Sequence, residues 1–399
     1  MNSLERIKCL SEKYKDKVIE LRRTIHSNPE LSFQEFNTSA LVKKELESLG
    51  LEVQDNIAKT GVTAILKGRS EGKTLLLRAD MDALPLQEEA PVSYASKNPG
   101  IMHACGHDYH TANLLGVAMI LSEMKDDFDG TVKFAFQPAE ENGGGGRSMV
   151  NEGVLDSPKV DAAMALHVMP GIEGQVSLAY GAASAYSDGF TLKIHGKKAH
   201  TSKPQDGVDA IVIAGHIIVS LQSILTRNID PFAVSTFSLG KISGGNAPNI
   251  VPDFVEINGM MRNLDKDARQ TLIANIENIS KAIAESMGGS LEFSFKEGYP
   301  SVVNEASMVD IVKEATNEYY SLVCPKDDSN QFINLGTKPM LGAEDFGFFA
   351  QRVPSCFFVV GSGVYAPSHN SSFQINDEEI ATTTLSIMSN AAIKFLNRW

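Results

Sequence analysis

Short apolar runs recur along this chain, each bounded by Gly or Pro and separated from the next by a stretch of helical periodicity. The runs are GVTAILKG, KTLLLRADMDALP, GTVKFAFQPAEE, DAAMALHV and SCFFVVG. Strands that alternate with helices in this way build a largely parallel sheet with helices packed against it. The sequence therefore predicts an α/β fold whose main domain contains a mostly parallel sheet.

The polar residues suited to catalysis follow the apolar part of three of these runs. They are Asp80 and Asp82 in the second run, Glu140 and Glu141 in the third, and His167 in the fourth. Open parallel sheets place their ligand crevices beyond the carboxyl ends of the strands. We therefore expect these five side chains to lie close together.

The pattern changes between residues 184 and 296, where strand-like and helical stretches follow one another in the order β-α-β-β-α-β. That order is typical of a self-contained ferredoxin-like α+β unit. The run SCFFVVG and a helical C-terminal stretch then resume the first pattern. We therefore predict a discontinuous main domain, residues 1–183 and 297–399, with a ferredoxin-like domain, residues 184–296, inserted into it.

One helix carries end signals at both termini, in the stretch ELSFQEFNTSALVKKELESLG. Ser32 and Glu35 have the spacing of a capping box, which predicts that they cap its N-terminus. Gly50 marks its C-terminus.

Charge and composition exclude several classes of function. The net charge is -13 and there is no basic stripe, so binding to a nucleic-acid backbone is disfavoured. The N-terminal stretch is charged and no run approaches eighteen consecutive apolar residues, which disfavours secretion and membrane spanning. The four cysteines show no CxxC pairing, which suits a reducing compartment and predicts a cytoplasmic protein.

The stretch GIMHACGHDYHTA, residues 100–112, concentrates potential metal ligands. It holds His103, Cys105, His107, Asp108 and His110, in a chain with nine histidines and four cysteines. Cys and His two positions apart cannot share one helical face, but they can in a loop that enters a helix. Polar groups packed this densely need partners, which predicts a site here.

The ligands available to this site exceed the needs of one structural zinc ion. One thiolate, three imidazoles and one carboxylate make five strong ligands, which predicts a two-metal hydrolytic site. Of the adjacent Glu140 and Glu141, one carboxylate can bind a cation while the other accepts a proton from water. Asp80 and Asp82 lie on one side of an extended segment, where a carboxylate can fix the tautomer of a ligand histidine.

The motifs RADMDALP, HACGHDYHTA, FQPAEE, ALHV, GKKAHTSKP and GGNAPNIVP, in this order, span nearly the whole chain. The chain thereby resembles the aminoacylase and carboxypeptidase family of dinuclear metallohydrolases. Its HACGHD motif is similar to that of the amidohydrolase branch with hippurate hydrolases and indole-acetyl-amino-acid hydrolases. The resemblance implies Glu140 as general base, Asp82 as the residue that orients the metal ligands, and five metal ligands: Cys105, His107, Glu141, His167 and His369.

The same resemblance implies residues of the inserted domain. His200 matches a histidine that reaches the active site of a dimer partner and stabilises the oxyanion, so a homodimer or higher homo-oligomer is expected. Asn249 and Arg262 match positions that contact substrate, and Arg262 can hold a carboxylate through its guanidinium fork. Arg147 departs from the small or apolar residues frequent at its position in relatives.

We therefore predict an amidohydrolase that uses two divalent metal ions to cleave N-acyl amino acids into a carboxylate and a free amino acid. A dipeptidase-like or carboxypeptidase-like peptide hydrolase with the same site remains an alternative. So does a hydrolase with Cys105 as covalent nucleophile, and so does a non-catalytic metal-dependent binding protein. The thiolate ligand favours zinc and the family branch favours manganese, with cobalt or nickel as further candidates.

Overall fold

The computed structural model describes residues 2–324, 332–336 and 338–398. Within these residues the chain forms two compact units. Unit 1 comprises Met1–Ala183, Val302–Lys338 and Asp345–Trp399, and unit 2 comprises Ser184–Ser301 with Pro339–Glu344. The second unit is therefore inserted into the chain of the first.

The first segment of unit 1 supplies most of its secondary structure. Its helices are α1 (Ser3–His26), α2 (Phe36–Ser48), α3 (His107–Glu123) and α4 (Gly145–Asn151). Its strands are β1 (Glu52–Ile57), β2 (Gly61–Lys67), β3 (Thr74–Asp80), β4 (Thr131–Gln137), β5 (Ala162–Met169), β6 (Val176–Ser177) and β7 (Gly181–Ala182).

The middle segment forms unit 2, and the chain then returns to unit 1. The strands of the middle segment are β8 (Tyr186–His195), β9 (Ala199–His200), β10 (Ser235–Gly244), β11 (Ile250–Val251), β12 (Phe254–Asn263) and β13 (Ser290–Tyr299). Its helices are α5 (Ala210–Leu221), α6 (Ile224–Arg227) and α7 (Lys266–Ser286). The last segment adds β14 (Val303–Asn304), α8 (Ala306–Val323), β15 (Ile333–Asn334), α9 (Gly347–Ala350), β16 (Ser355–Gly361) and α10 (Asp377–Asn397).

A mixed sheet forms the centre of unit 1. In the described residues its order is β1-β2-β4-β3-β5-β16-β6-β15. The four central strands, β4, β3, β5 and β16, are mutually parallel, and antiparallel pairs occur only towards the edges. All seven residues of β3 are buried, as expected for a central parallel strand covered on both faces. The predicted α/β class with a mostly parallel main sheet is confirmed.

The parallel order brings the predicted site residues to one edge of the sheet. Asp80 ends β3, His167 lies near the end of β5, and Glu140 follows β4 by three residues. His369 follows β16 in the loop before α10. Since parallel strands end at the same edge, segments far apart in sequence meet there.

Helix α3 presents its N-terminus to this edge. Its residues from His107 to Leu121 are all buried, so the helix is enclosed on every side. Gly106 precedes it with φ +88°, and a Cβ there would lie 2.6 Å from Cγ2 of Val168. Glycine at this position therefore allows His107 to approach β5 closely.

Unit 2 is an antiparallel sheet of order β10-β12-β8-β13 with α5 and α7 packed against it. This is the predicted β-α-β-β-α-β arrangement. β13 continues to Tyr299, beyond residue 296, because a register irregularity after Lys296 lets the strand resume its pairing with β8. Among the described residues, one stretch, Ala210–Arg227, could cross a membrane by length and composition alone, a test that core helices of soluble proteins also pass.

The predicted capping box of α2 is wrong. The carboxylate of Glu30 accepts the backbone N–H groups of Asn37 and Thr38, at 3.0 and 2.9 Å, and so caps this helix. Ser32 and Glu35 make their side-chain hydrogen bonds with residues outside the helix. These long-range bonds replace the local pattern that the spacing predicted.

Candidate metal centre

His107 enters the site with one nitrogen already engaged. Its Nδ1 lies 2.9 Å from the carbonyl oxygen of Asp82 and 3.2 Å from Oδ1 of the same residue. Both partners can only accept, so Nδ1 carries a proton, and in the neutral ring Nε2 is the nitrogen with the lone pair. Nε2 is buried and makes no hydrogen bond with the described residues, so it is the ring nitrogen available to a metal ion.

His167 is prepared in the same way. Its Nδ1 donates to the carbonyl oxygen of Val168 at 2.7 Å, so its Nε2 is the nitrogen that can accept. That Nε2 lies 3.6 Å from Sγ of Cys105. Burial lowers the pKa of His167, which favours the neutral imidazole that binds metals.

Glu141 and His369 complete the set of five predicted ligands. Nε2 of His369 lies 3.2 Å from Oε1 of Glu141. The backbone of His369 has φ +64°, uncommon for a residue with a side chain, and its N–H donates to the carbonyl oxygen of Ala104 at 2.7 Å. That hydrogen bond ties the His369 loop to the residue that precedes Cys105.

Asp82 connects three parts of the site. Its Oδ1 accepts the backbone N–H of Glu140 at 3.0 Å and faces Nδ1 of His107, while its Oδ2 accepts the N–H of Glu141 at 3.0 Å and the hydroxyl of Ser32 at 2.7 Å. Burial alone raises the pKa of Asp82, but the hydrogen bonds from His107 and Ser32 outweigh burial and lower it. Asp82 is therefore an acceptor that orients His107 and both glutamates.

Not every histidine of the HACGHDYH stretch faces the site as a ligand. His110 donates through Nδ1 to Asp80 at 2.6 Å and accepts the backbone N–H of Val168 through Nε2 at 2.9 Å. Both nitrogens are thus used. The second oxygen of Asp80 lies 2.6 Å from the guanidinium of Arg78, so this carboxylate is also engaged within the protein.

His103 and Asp108 of this stretch belong to a separate buried network. Asp108 accepts from Arg22 at 2.7 Å and from Nδ1 of His26 at 2.8 Å. The ring of His103 is buried near that of His26, with centroids 6.2 Å apart. Cys105 and His107 of this stretch, in contrast, have donor atoms placed with those of the other predicted ligands.

The donor atoms form neighbouring groups that fit two divalent ions. Within the described residues, those of Cys105, His107 and His167 lie within 4.8 Å of one another, and so do those of Cys105, Glu141 and His369. The two groups share Cys105 and contain all five predicted ligands. A mixed set of thiolate, imidazole and carboxylate is one that zinc and similar transition metals accept.

The carboxylate of Glu140 lies beside these groups. Its donor oxygen is within 4.8 Å of those of His107 and Glu141, and the side chain is buried. Glu140 follows Ala139, which has φ +53°, so the chain turns sharply at the residue before it. The turn directs two adjacent glutamates into one site.

Burial raises the pKa of the Cys105 thiol to about 12. A cysteine nucleophile requires a lowered pKa, because the thiolate is the reactive form. Without a cation, Cys105 is therefore protonated at neutral pH. A bound divalent ion would stabilise its thiolate, so the environment suits a ligand better than a nucleophile.

The predicted residues of unit 2 form their own arrangement. His200 on β9 pairs with Ile250 on β11, and the carbonyl oxygen of Asn249 accepts the N–H of Thr201 at 3.2 Å. His200 and Asn249 thus lie on adjoining segments. Arg262 lies on β12, half-buried, and its Nη1 has no hydrogen-bond partner within the part of the chain that the structure describes.

Several supporting residues have no counterpart among the predictions. Arg78 is fully buried between Asp80, Gln137 and Asp345, at 2.6 to 2.9 Å. The charge within the apolar run LLLRAD was the available signal, because a buried arginine needs acidic partners. Ser32 carried no such signal, since its contact with Asp82 spans fifty residues.

Arg147 lies on α4 with its guanidinium 4.7 Å above the ring of Phe348. The structure gives no account of why this position departs from the pattern of relatives.

Comparison with known proteins agrees with this geometry. Residues 76–390 match the family model described as peptidase family M20/M25/M40. The chain is 43% identical over 302 residues to an N-acyl-L-amino acid amidohydrolase of Geobacillus stearothermophilus, with 75% of this chain and 81% of that protein covered. It is 36% identical over 377 residues to the hippurate hydrolase of Campylobacter jejuni, with 94% and 96% covered.

A solved structure supports the same conclusion. The Bacillus subtilis YXEP protein, described as a dinuclear metal-binding peptidase of the M20 family, superposes with a TM-score of 0.83 at 33% identity. The superposition covers 96% of this chain and 99% of that one. With the family model matched over most of its length, this chain is a member of peptidase family M20/M25/M40.

Proposed function

We propose that this protein is a metal-dependent amidohydrolase that cleaves the amide bond of N-acyl amino acids. The observation that carries this proposal is the pair of donor groups that share Cys105, with the carboxylate of Glu140 beside them. Relatives that act on acylated amino acids, at 36% and 43% identity, support the substrate class. The products are a carboxylate and a free amino acid.

Two divalent ions held by Cys105, His107, Glu141, His167 and His369 would supply Lewis acidity towards the substrate carbonyl and towards water. Glu140 is the general base: it takes a proton from the attacking water and delivers it to the leaving amine. Asp82 keeps His107 in the tautomer that leaves its Nε2 free.

His200 is the donor to the oxyanion in this proposal. Its Nδ1 lies 3.1 Å from the backbone N–H of Ser202, which can only donate, so Nδ1 accepts and Nε2 carries the proton. The side chain is exposed, and Nε2 is thereby a ready donor to an anionic oxygen. Arg262, with an unpartnered buried Nη1 within the described residues, binds the substrate carboxylate, and Asn249 contacts the substrate.

The assembly proposed is a homodimer formed through unit 2, in which the partner subunit supplies the oxyanion donor. Helix α5 exposes Ile211 and Val219, whose relative exposures are 51% and 74%. Beside it, β10 is an edge strand of the described sheet. An apolar stripe next to an open strand edge is a surface that a second copy can cover. Val219→Asp should give monomers in sedimentation velocity with activity lost.

Zinc or manganese is proposed as the metal, with cobalt or nickel as further candidates, and the cytoplasm as the location. Soft thiolate and imidazole donors favour zinc, while carboxylate is accepted by manganese. Elemental analysis of the purified protein, followed by activity measurements after metal exchange, distinguishes these ions.

The decisive experiment compares the wild type with Glu140→Gln. Gln keeps the size of Glu but cannot take a proton, so we expect normal metal content and a turnover of N-acetyl and N-benzoyl amino acids lower by orders of magnitude. Chelation should abolish wild-type activity and divalent ions should restore it. Normal turnover in Glu140→Gln would contradict the assigned base.

The same assay separates the alternatives. Hydrolysis of dipeptides in preference to N-acyl amino acids would favour a peptide hydrolase with this site. The 3.6 Å contact between Cys105 and His167 is the observation in favour of a cysteine nucleophile. That mechanism predicts covalent labelling by acyl substrate and activity that chelators leave unchanged.

A further inference from the structure

Three consecutive backbone N–H groups, those of residues 139, 140 and 141, are each held by a carboxylate. Asp82 accepts the second and third, at 3.0 Å each. Oε1 of Glu35 accepts the first, from Ala139, at 2.9 Å. The turn that carries Glu140 and Glu141 is therefore fixed by two acidic side chains from two distant parts of the chain.

Both carboxylate oxygens of Glu35 accept hydrogen bonds in a closed environment. Oε1 also accepts the N–H of Phe33 at 2.9 Å, and Oε2 accepts the hydroxyl of Thr60 at 2.5 Å. The side chain is fully buried, and the described residues give it no ion-pair partner. A buried carboxylate without a cation is costly, and burial raises its pKa.

The backbone around Glu35 is shaped for this contact. Phe33 has φ +60° and Ala139 has φ +53°, two left-handed residues whose N–H groups both point at Oε1. A Cβ on Gly143 would lie 2.4 Å from the ring of Phe33, so this ring packs directly on the glycine loop after Glu141. Two strained residues held by one acceptor indicate a turn that the surroundings must impose.

We propose that Glu35 is a positioning residue for catalysis: through Ala139 it holds the turn that aims Glu140 at the reacting water and Glu141 at the metal. The inference rests on the proposed function of Glu140. General-base catalysis requires the base within hydrogen-bond reach of its proton, and a displacement of about 1 Å can cost about 10²-fold in rate. Glu35 does not contact the substrate and acts only through the backbone.

Two substitutions separate the effect of the length of the Glu35 side chain from the effect of its charge. Glu35→Gln keeps the length and an oxygen for Ala139 and Phe33, while its amide donates to Thr60. Glu35→Asp keeps the charge but is one methylene too short to reach Ala139. The control is Asp161→Ala, because Asp161 also accepts a backbone N–H, that of Thr74 at 2.8 Å. Thr74 begins β3 and Asp80 ends it, so at 3.3 Å per residue the Thr74 contact is about 20 Å from the end of the strand that carries the site.

The assay measures kcat and KM of metal-loaded protein with N-acetyl amino acids, metal content, and hydrogen exchange of the peptide spanning residues 138–142. We expect Glu35→Asp to lower kcat about 10- to 100-fold, with KM within about threefold and two ions retained, and to lose exchange protection in that peptide. Glu35→Gln should stay within about threefold of the wild type by both readouts. Asp161→Ala should change neither kcat nor the exchange of residues 138–142.

The inference is overturned if Glu35→Asp keeps kcat within twofold and the exchange protection of the wild type, or if Glu35→Gln is impaired as strongly as Glu35→Asp. A wild type that binds two ions but hydrolyses no N-acyl amino acid refutes the proposed function instead. In that case the exchange experiment on metal-free protein still decides whether Glu35 fixes the turn.

Discussion

The Asp82→Asn variant tests how far the metal centre depends on one carboxylate. Asp82 accepts four hydrogen bonds, from Ser32, His107, Glu140 and Glu141. Asn replaces one oxygen with an amide nitrogen that cannot accept. The amide orientation that loses fewer hydrogen bonds places the Asn oxygen towards His107 and Glu140. The amide nitrogen then faces the backbone N–H of Glu141. The Ser32 hydroxyl can rotate to accept.

That orientation leaves one backbone N–H without an acceptor. An unsatisfied buried donor costs about 1–3 kcal/mol in unfolding free energy. His107 also loses its charged acceptor, and loss of such a partner weakens metal affinity about 10- to 100-fold. We therefore expect Asp82→Asn to be less stable than the wild type and to bind metal more weakly by this factor.

The assay combines urea unfolding of metal-free protein with competition between protein and a chromophoric chelator for zinc. Asp161→Asn is the matched control, because Asp161 accepts the backbone N–H of Thr74 at the start of β3, whereas Asp82 follows the other end of that strand. Its zinc affinity should equal that of the wild type. Asp82→Asn with wild-type stability and zinc affinity within twofold of the wild type would refute the role given to Asp82.

Three further predictions concern stability and ligand assignment. Arg78→Met should lower the unfolding free energy by about 3–5 kcal/mol in urea titrations, because it strands the buried carboxylates of Asp80 and Asp345; a loss under 1 kcal/mol would contradict this. His110→Ala should retain two ions by elemental analysis, whereas Cys105→Ala should lose at least one; equal losses would refute the ligand assignment. Burial lowers the pKa of His26, but Asp108 and Glu88 outweigh burial and raise it above 6.5. Protonated His26 therefore stabilises the folded protein fully below pH 6.5, and this contribution is lost as pH rises through the folded-state pKa. The stability difference between wild type and His26→Gln should therefore shrink between pH 6 and pH 9, and a constant difference would be evidence against it.

The fold was predictable because hydrophobic pattern and chain order both point to it. Runs such as TLLLRAD are mostly apolar, and a strand in which every residue is buried, as here, is one covered on both faces. The edge of the main sheet formed by β6 and β15 gave little signal, because each of these strands is only two residues long. Such short strands have no periodicity to detect.

The chemistry of the site was visible in sequence only where rare residue types carry it. Cys105 and His107 stand out because thiols and imidazoles are scarce in this chain. Glu35 looked like a helix cap because its spacing from Ser32 fits that local pattern. Its partner Ala139 is 104 residues away, and a rule based on local sequence spacing cannot predict a contact at this separation.

The central claim is that two ions lie among Cys105, His107, Glu141, His167 and His369, with Glu140 beside them. The most direct measurement is anomalous diffraction from crystals of the metal-loaded protein, recorded above and below the absorption edge of the metal. We predict two peaks per chain, each within bonding distance of donors from this set of five residues. A single peak, or peaks bonded to other side chains, would contradict the account.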